Sequence, residues 1–308
     1  MSKYHDKWYT RIFSDPRIVE DLLKSFVHED FVHDVDFKTL KKLSTKFIKL
    51  SDEYRHSDVI YEVKTKGQTA YIYLFLEFQS TVDRFMPLRL GRYVFEFYED
   101  IRERTGDKYL HPAFPIMIYS GDERWTAPTS FRELLHPSEI PEKYLPEFRY
   151  FKIAVNEIPK RELVKIRNAV AAVFYVENSS PEEIARNRRE LIILLSAAFK
   201  QAGTPVINAI IDRLKKTHKL PKSSKTIDKI EDIKEVLSMW ETRVKKHDAN
   251  VKISNEQQIL SDLIEIKFGL TVQAKKKILS TSNSQKLRKG LRTVVTASSI
   301  QDVLECLG

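Results

Sequence analysis

The chain has 308 residues, of which 42% are hydrophobic and 31% are charged, with eight glycines and twelve prolines. This composition excludes a collagen-like, low-complexity or largely disordered protein, and the length indicates one large domain or two medium ones. The single cysteine, Cys306, excludes a disulfide framework and a cysteine-based zinc site, as expected in a reducing cytosol.

Neither a membrane-spanning nor an export segment is predicted. The longest nearly continuous apolar stretch, residues 191–199, is about half as long as the roughly 18 residues that span a bilayer. The first ten residues, MSKYHDKWYT, alternate charged and aromatic side chains and lack the apolar centre of a signal peptide. We therefore expect a cytoplasmic protein without a membrane partner.

The net charge of +9 is concentrated in the second half of the chain. Residues 1–150 carry 23 Lys and Arg against 25 Asp and Glu, a net of −2, whereas residues 151–308 carry 29 against 18, a net of +11. Between Lys267 and Gln301 there are eight basic residues and no acidic one. Such a surface suits a polyanion such as DNA, because neutralising phosphates releases condensed counterions. The alternative is a solvated helix face that only keeps the protein soluble.

The first half alternates helical and strand-like segments. Residues 8–26 space their apolar side chains as two short helices do, and Ser14, Asp15 and Pro16 form a typical helix start. The pattern then predicts a weak strand at 46–50, a hairpin of strands at 57–64 and 70–79, a helix at 85–104 closed by Thr105-Gly106, and strands at 114–120 and 148–158. A strand, a crossover helix and a second strand imply parallel pairing, so we expect a mixed α/β sheet.

After Pro159 the strand-like alternation gives way to helical periodicity. Helices are predicted at 161–176, 181–201, 205–217 and 229–246, followed by shorter ones. The sequence therefore predicts an α/β domain at 1–158 and a basic helical domain at 159–308.

The hairpin carries two acidic residues that we predict to face each other. With Gly67-Gln68 as a two-residue loop, Ile60 pairs with Phe75 and Asp58 pairs with Glu77. Alternation places both acids on one face of the sheet, together with Gln79. Three aromatic residues share that face and either stack on bases or pack beneath a neighbouring helix: Tyr71, Tyr73 and Phe75.

Two opposed carboxylates repel each other by about 3 kcal/mol at an effective dielectric near 20. A shared proton, a basic side chain such as Lys64 or Arg84, or a bound cation would offset this repulsion, and a different pairing register of the two strands would remove it. Mg²⁺ suits such a site, because it needs only one or two carboxylates and completes its shell with water and phosphate oxygens. The residues alone also allow a solvated pair of acids with no ligand.

Four segments together resemble a known family. They are HDKWYTRIFSDP (5–16), LEFQST (76–81), MPLRLGRY (86–93) and FPIMIYSGDERWTAPTSFRELL (114–135). In order and spacing, over roughly residues 4–155, they resemble the recombination-promoting nucleases, a bacterial, transposase-related family of the PD-(D/E)XK nuclease superfamily. The resemblance implies an α-β-β-β-α-β core, which matches the predicted order of elements.

The resemblance also implies a site and a reaction. Asp58 and Glu77 match the metal-binding acids, and Gln79 stands where the superfamily has a lysine. The implied activity is Mg²⁺-dependent endonucleolytic hydrolysis of DNA, with Mn²⁺ as a substitute metal. A glutamine amide can hold a water molecule but brings no charge, so the departure at Gln79 puts catalytic strength in doubt.

Several alternatives stay open from sequence alone. Arg89 and Arg92 either clamp a phosphate or pair with Glu96 and Glu99, and a further metal-binding acid could come from Glu20 or Asp6. The chain could also be an inactive, nuclease-derived regulator that binds DNA or protein, or a factor that joins DNA ends. The C-terminal basic helices suit DNA, a protein partner or a homo-oligomer.

Overall fold

The computed structural model describes residues 3–44, 59–77, 81–217 and 227–308. Contacts divide the chain into two compact units, Met1–Glu235 and Val236–Gly308.

Within the described residues, the first unit contains one five-stranded mixed sheet, with its strands in the order β1-β2-β3-β4-β5. The pairs β1–β2 and β2–β3 are antiparallel, whereas the pairs β3–β4 and β4–β5 are parallel. The bounds of the strands are Val35–Lys42 (β1), Val59–Thr65 (β2), Gln68–Glu77 (β3), Ala113–Tyr119 (β4) and Phe151–Ala154 (β5). The predicted α/β class and the parallel pairing across the crossover helix are confirmed.

Three helices accompany the first four strands: α1 (Lys3–Ile12), α2 (Pro16–Phe26) and α3 (Met86–Thr105). The start of α2 follows the predicted signal, because the Asp15 carboxylate accepts a hydrogen bond from the Arg17 N–H at 3.0 Å and Pro16 occupies the first turn. The crossover helix α3 ends at Gly106, whose φ of 65° is the left-handed conformation that closes many helices.

The hairpin between β2 and β3 differs from the prediction by two residues in register. Val59 pairs with Leu74 and Ile60 with Tyr73, so the two-residue loop is Lys66-Gly67 rather than Gly67-Gln68. Both loop residues have positive φ, 51° and 79°, as a type I′ turn requires. The predicted pairing of Ile60 with Phe75 is therefore wrong, and so is the register from which Asp58 was placed opposite Glu77. Asp58 itself lies outside the described residues.

A shift of two residues leaves each side chain on the same face of its strand. An aromatic layer therefore forms on the predicted face. Tyr73 and Phe75 stack with ring centroids 4.0 Å apart, and Tyr71 meets Phe97 of α3 edge to face at 5.0 Å. These side chains are buried in one cluster with Leu90 and other residues of α3. Packing beneath the helix, one of the two predicted roles, is confirmed.

Two strand predictions require correction. β1 was not predicted, and the weak strand predicted at 46–50 lies outside the described residues. The strand predicted at 148–158 is limited to β5, because Val155–Glu157 forms a short 3-10 turn.

The helical part of the first unit packs on α1 and α2. Its members are α4 (Lys160–Ile166), α5 (Ala169–Glu177), α6 (Pro181–Arg186) and α7 (Arg188–Thr217). The indole N–H of Trp8 donates to the Ala209 carbonyl at 2.7 Å, and the Asn168 amide donates to Ser25 at 2.9 Å. The first unit thus extends past the predicted boundary at 158/159, because these helices bury their apolar sides against the N-terminal helices.

Helix α7 is interrupted at Gly203, whose φ of 74° and ψ of −172° are not helical. Among the described residues, its stretch Arg188–Lys216 is the one helical segment long and apolar enough to cross a membrane by length and composition. Its side chains Leu191, Leu194 and Leu195 are fully buried, and the helix packs extensively on α5. A core helix of a globular protein has these same properties.

The helix α8 (Ile230–Phe268) begins in the first unit, and most of it belongs to the second. The second unit also contains α9 (Val272–Ser280), α10 (Ser284–Thr296) and α11 (Ile300–Glu305). Its core joins Leu260, Ile278, Leu287 and Val294. Gly290 permits a close approach, because a Cβ there would lie 3.1 Å from the Leu260 side chain. The predicted all-helical second half is confirmed.

Candidate functional site

Glu77 is the last residue of β3 and lies at the carboxyl end of the parallel part of the sheet. It is aligned with Tyr119 of β4, and its carbonyl accepts a hydrogen bond from the Ser120 N–H at 3.0 Å. Only 8% of Glu77 is exposed. A buried carboxylate requires a partner, because desolvation of an unpaired charge is costly.

That partner is Arg89, which comes from the first turns of α3. The Arg89 guanidinium forms a hydrogen-bonded ion pair with the Glu77 carboxylate, and its Nη1 lies 3.4 Å from Oδ2 of Asp83. The other oxygen of Asp83 accepts the Phe85 N–H at 2.8 Å, at the start of α3. The fold therefore brings two carboxylates together around one guanidinium.

Asp83 was missed by the sequence analysis, although a signal for it was present. It lies three residues before Met86, and its side chain accepts the N–H of Phe85 two residues further on, a turn that aspartate commonly forms. Arg89 follows six residues after Asp83, in the first turns of α3, so this turn leaves Asp83 close to that arginine.

Two other predicted residues, Arg92 and Glu20, have partners outside this group. Arg92 pairs with Glu96 at 3.5 Å, one of its two predicted alternatives, and Glu20 pairs with Lys24 at 2.5 Å. Asp6 lies in α1, and its side chain is outside the described part of the structure. Asp58 and Gln79 lie outside the described residues, so their roles stay predictions.

The donor set around Glu77 suits a hard divalent cation. Glu77 and Asp83 offer carboxylate oxygens, and Mg²⁺ commonly takes one or two carboxylates and leaves its other positions to water and phosphate. Within the described ranges, no group of three or more His, Cys, Asp and Glu residues is close enough together to hold a metal. A complete site of the predicted kind therefore requires Asp58 in addition.

A second buried polar cluster includes Ser120, the residue that follows β4. Arg213 of α7 donates from Nε to Glu177 of α5 at 2.8 Å, and the Ser120 hydroxyl donates to the same carboxylate at 3.4 Å. Burial raises the pKa of Glu177, which the charge of Arg213 only partly offsets. Because the Ser120 backbone N–H binds the Glu77 carbonyl, Ser120 links this cluster to the strand that carries Glu77.

Comparison with known families agrees with this architecture. The profile of a family described as "Putative transposase, YhgA-like" matches residues 3–204. The chain belongs to this YhgA-like family. The matched residues cover the whole sheet and α1–α6, so the family assignment includes both Glu77 and the buried Glu177.

Curated relatives of the YhgA-like chain carry nuclease names. Recombination-promoting nuclease RpnD of Escherichia coli O157:H7 is 25% identical over 212 residues, which cover 67% of this chain and 80% of the relative. Recombination-promoting nuclease RpnA of Escherichia coli K12 is 30% identical over 119 residues, which cover 39% and 40%. A relative described as inactive, RpnE of the same strain, is 27% identical over 121 residues, which cover 39% and 40%. No solved structure matches this chain significantly. The predicted resemblance to recombination-promoting nucleases is confirmed.

Proposed function

We infer that this protein is an Mg²⁺-dependent DNA endonuclease. The observation that carries this inference is the buried Glu77 carboxylate at the carboxyl end of β3, placed beside Asp83 and Arg89. The nuclease names of RpnD and RpnA support the reaction class. The substrate, DNA, follows from the resemblance and from the basic second half of the chain.

The proposed roles follow from charge and position. Glu77 and Asp58 would hold the metal ion, and Gln79 would orient a water molecule through its amide. When bound, Mg²⁺ supplies Lewis-acid activation of a phosphate oxygen and lowers the pKa of a coordinated water.

Arg89 is suited to contact the phosphate. Its guanidinium presents several N–H donors in a planar fork that matches phosphate oxygens, and it is partly exposed, with 19% of the side chain accessible. Held by Glu77 and Asp83, it is positioned before the substrate arrives. Because phosphoryl transfer depends mostly on positioning and on neutralising charge, such a group would add to the rate.

The second candidate function is a nuclease-derived regulator that binds DNA without cleaving it. One observation favours it: a relative at 27% identity is described as inactive. The resemblance adds that Gln79 stands where the superfamily has a lysine. This candidate predicts salt-sensitive DNA binding and no Mg²⁺-dependent products at any protein concentration.

Nicking of supercoiled plasmid DNA tests the proposal. With Mg²⁺ present, we expect the full-length chain to nick the plasmid, and EDTA to abolish the reaction. Glu77→Gln and Asp58→Asn should each slow nicking by roughly 100-fold or more, since each removes a metal ligand and a charge. Glu20→Gln is the matched control, because it removes one carboxylate from an exposed ion pair. If both site variants nick as fast as the wild type, the site is wrongly assigned. If the wild type never nicks but binds the plasmid, the regulator is supported.

A further inference from the structure

The second unit contains two consecutive helices joined by a short turn. Helix α9 ends at Ser280 and α10 begins at Ser284, so three residues separate them. The Asn283 side chain caps α10 by accepting the Gln285 N–H at 2.9 Å. From α8, the Gln257 amide donates to the carbonyls of Leu279 and Thr281, both at 3.0 Å. These bonds hold the turn, and with it the start of α10, against α8.

Helix α10 has one buried and one exposed face. Leu287, Gly290 and Val294 are buried in the core of the unit. At 3.6 residues per turn, the exposed residues fall within an arc of roughly 120° on the opposite side. We call this arc the α10 stripe, and it consists of Gln285, Arg288, Lys289, Arg292, Val295 and Thr296.

All charged residues of α9 and α10 are basic. No acidic residue occurs between Lys267 and Gln301. Arg288 binds Glu256 of α8 at 2.7 Å, whereas Lys289 and Arg292 form no ion pair with any described residue. Lys275 and Lys276 of α9 are also exposed. Lys289 and Arg292 are therefore available to an anionic partner.

We propose that the α10 stripe binds duplex DNA by lying in the major groove, with α9 beside it on the phosphate backbone. A helix–turn–helix with a turn of three or four residues is an arrangement that places its second helix in this groove. The 13 residues of α10 span about 20 Å, and the groove, about 12 Å wide, admits one helix. This proposal rests on the proposed function, because the bound duplex would be the DNA substrate of the nuclease.

The composition of the stripe favours DNA over an acidic protein. Arginine and lysine pair with guanine edges, glutamine pairs with adenine, and the methyl groups of threonine and valine contact the thymine methyl. The stripe has all of these residue types on one face, beside lysines suited to phosphate. Binding of an acidic protein would require only the Lys and Arg side chains, and not the Gln, Thr and Val side chains on the same face.

Binding of the full-length chain to a fluorescent duplex tests the proposal, measured by anisotropy in EDTA so that no cleavage occurs. The double variant Lys289→Ala/Arg292→Ala should bind at least ten-fold more weakly at roughly 0.1 M salt, and its log K–log[salt] slope should fall by about two units. Lys38→Ala/Lys41→Ala is the matched control, because it removes two exposed cations from β1; its affinity should stay within about two-fold. Lys275→Ala/Lys276→Ala should weaken binding and lower the slope as well.

Three results would overturn the proposal. They are unchanged affinity in Lys289→Ala/Arg292→Ala, an equal loss in the Lys38/Lys41 control, or binding to polyglutamate as tight as to DNA of the same charge. Circular dichroism confirms that each variant is folded. The binding measurement needs no metal, so its result does not depend on whether the protein nicks plasmid DNA. Failure of the DNA-binding proposal can therefore be distinguished from failure of the nuclease proposal.

Discussion

Arg213 donates two hydrogen bonds to the carboxylate of Glu177, from Nε at 2.8 Å and from Nη2 at 3.4 Å. The two side chains are only 11% and 5% exposed, and they join α7 to α5 inside the first unit. The Arg213 guanidinium also lies 5.5 Å from the centre of a Trp8 ring, so it connects three helices.

Removing Arg213 should strongly destabilise the first unit. Arg213→Ala leaves the Glu177 carboxylate buried without its charge partner, so the free energy of unfolding should fall by about 3–5 kcal/mol in urea denaturation. Glu20→Ala breaks an exposed ion pair and should cost less than about 1 kcal/mol. The double variant Glu177→Leu/Arg213→Met should recover much of the loss, because it removes both charges together. Equal losses in Arg213→Ala and Glu20→Ala would contradict a buried structural pair.

The turn of the β2–β3 hairpin offers a stabilising substitution. Lys66 adopts a φ of 51°, which is strained for a residue with a long side chain, whereas asparagine is favoured before glycine in type I′ turns. Lys66→Asn should raise the free energy of unfolding by about 0.5 kcal/mol, measured by thermal or urea unfolding. Loss of the exposed ion pair from Lys66 to Asp34 offsets little of this gain.

Gly67→Ala is the complementary change in the same turn. It should lower the free energy of unfolding by about 1 kcal/mol, because the φ of 79° disfavours any Cβ. An added Cβ would have no neighbour within 4 Å, so a steric clash is not the cause. If Lys66→Asn destabilises and Gly67→Ala is neutral, the loop is not Lys66-Gly67.

The capping box of α6 should make stability depend on pH. A hydrogen bond from Lys160, 2.6 Å away, lowers the pKa of Glu183, and the N–H of Ser180 adds to the effect. Because the folded-state pKa lies below the unfolded value, this stabilisation is complete above the unfolded pKa and is lost as pH falls through the folded one.

Two variants separate the contribution of the Ser180 cap to stability from that of the Glu183 charge. Ser180→Ala should lower the free energy of unfolding by about 1 kcal/mol at every pH, since it removes the hydroxyl that accepts the Glu183 N–H. Glu183→Gln should cost about 0.5 kcal/mol at neutral pH and nothing at pH values well below 4.5. A pH-independent difference between Glu183→Gln and the wild type would exclude the charged interaction.

Metal binding can be measured apart from cleavage. In titrations with Mn²⁺ followed by electron paramagnetic resonance, Glu77→Gln should weaken binding at least ten-fold, because a carboxylate ligand is lost. Asp83→Asn should weaken it by a smaller factor, since one oxygen of that carboxylate already accepts the Phe85 N–H. Glu20→Gln should leave the titration unchanged. Full Mn²⁺ affinity in Glu77→Gln would remove Glu77 from the metal site, whatever the rate of nicking.

Local signals predicted much of the fold. Asp15 and Pro16 mark the start of α2, Gly106 marks the end of α3, and the strand–helix–strand order implies the parallel pair β3–β4. These features depend on the conformations that single residues adopt and on the alternation of side chains, which sequence displays directly. Glu77 was predicted as a site residue from its expected pairing with Asp58 and from the family resemblance, and its role stays a prediction.

The register of the β2–β3 hairpin could not be predicted from such local signals. A shift by two residues keeps every side chain on its face, so the hydrophobic pattern is equally satisfied by both registers. What separates them is the turn, where positive φ at Lys66 and Gly67 selects a different two-residue loop. The aromatic layer under α3 was therefore predicted correctly from a register that was wrong.

By itself, the sequence determined the α/β class, the helical second half and the family, because periodicity, caps and motifs are local properties. Only the tertiary structure decided that Asp83 and Glu77 share Arg89, that Ser120 joins Glu77 to Glu177, and that α4–α7 belong with the sheet. Those outcomes depend on contacts between residues far apart in the chain. A buried charge takes whichever partner the packed helices bring within reach, and spacing along the chain does not encode that choice.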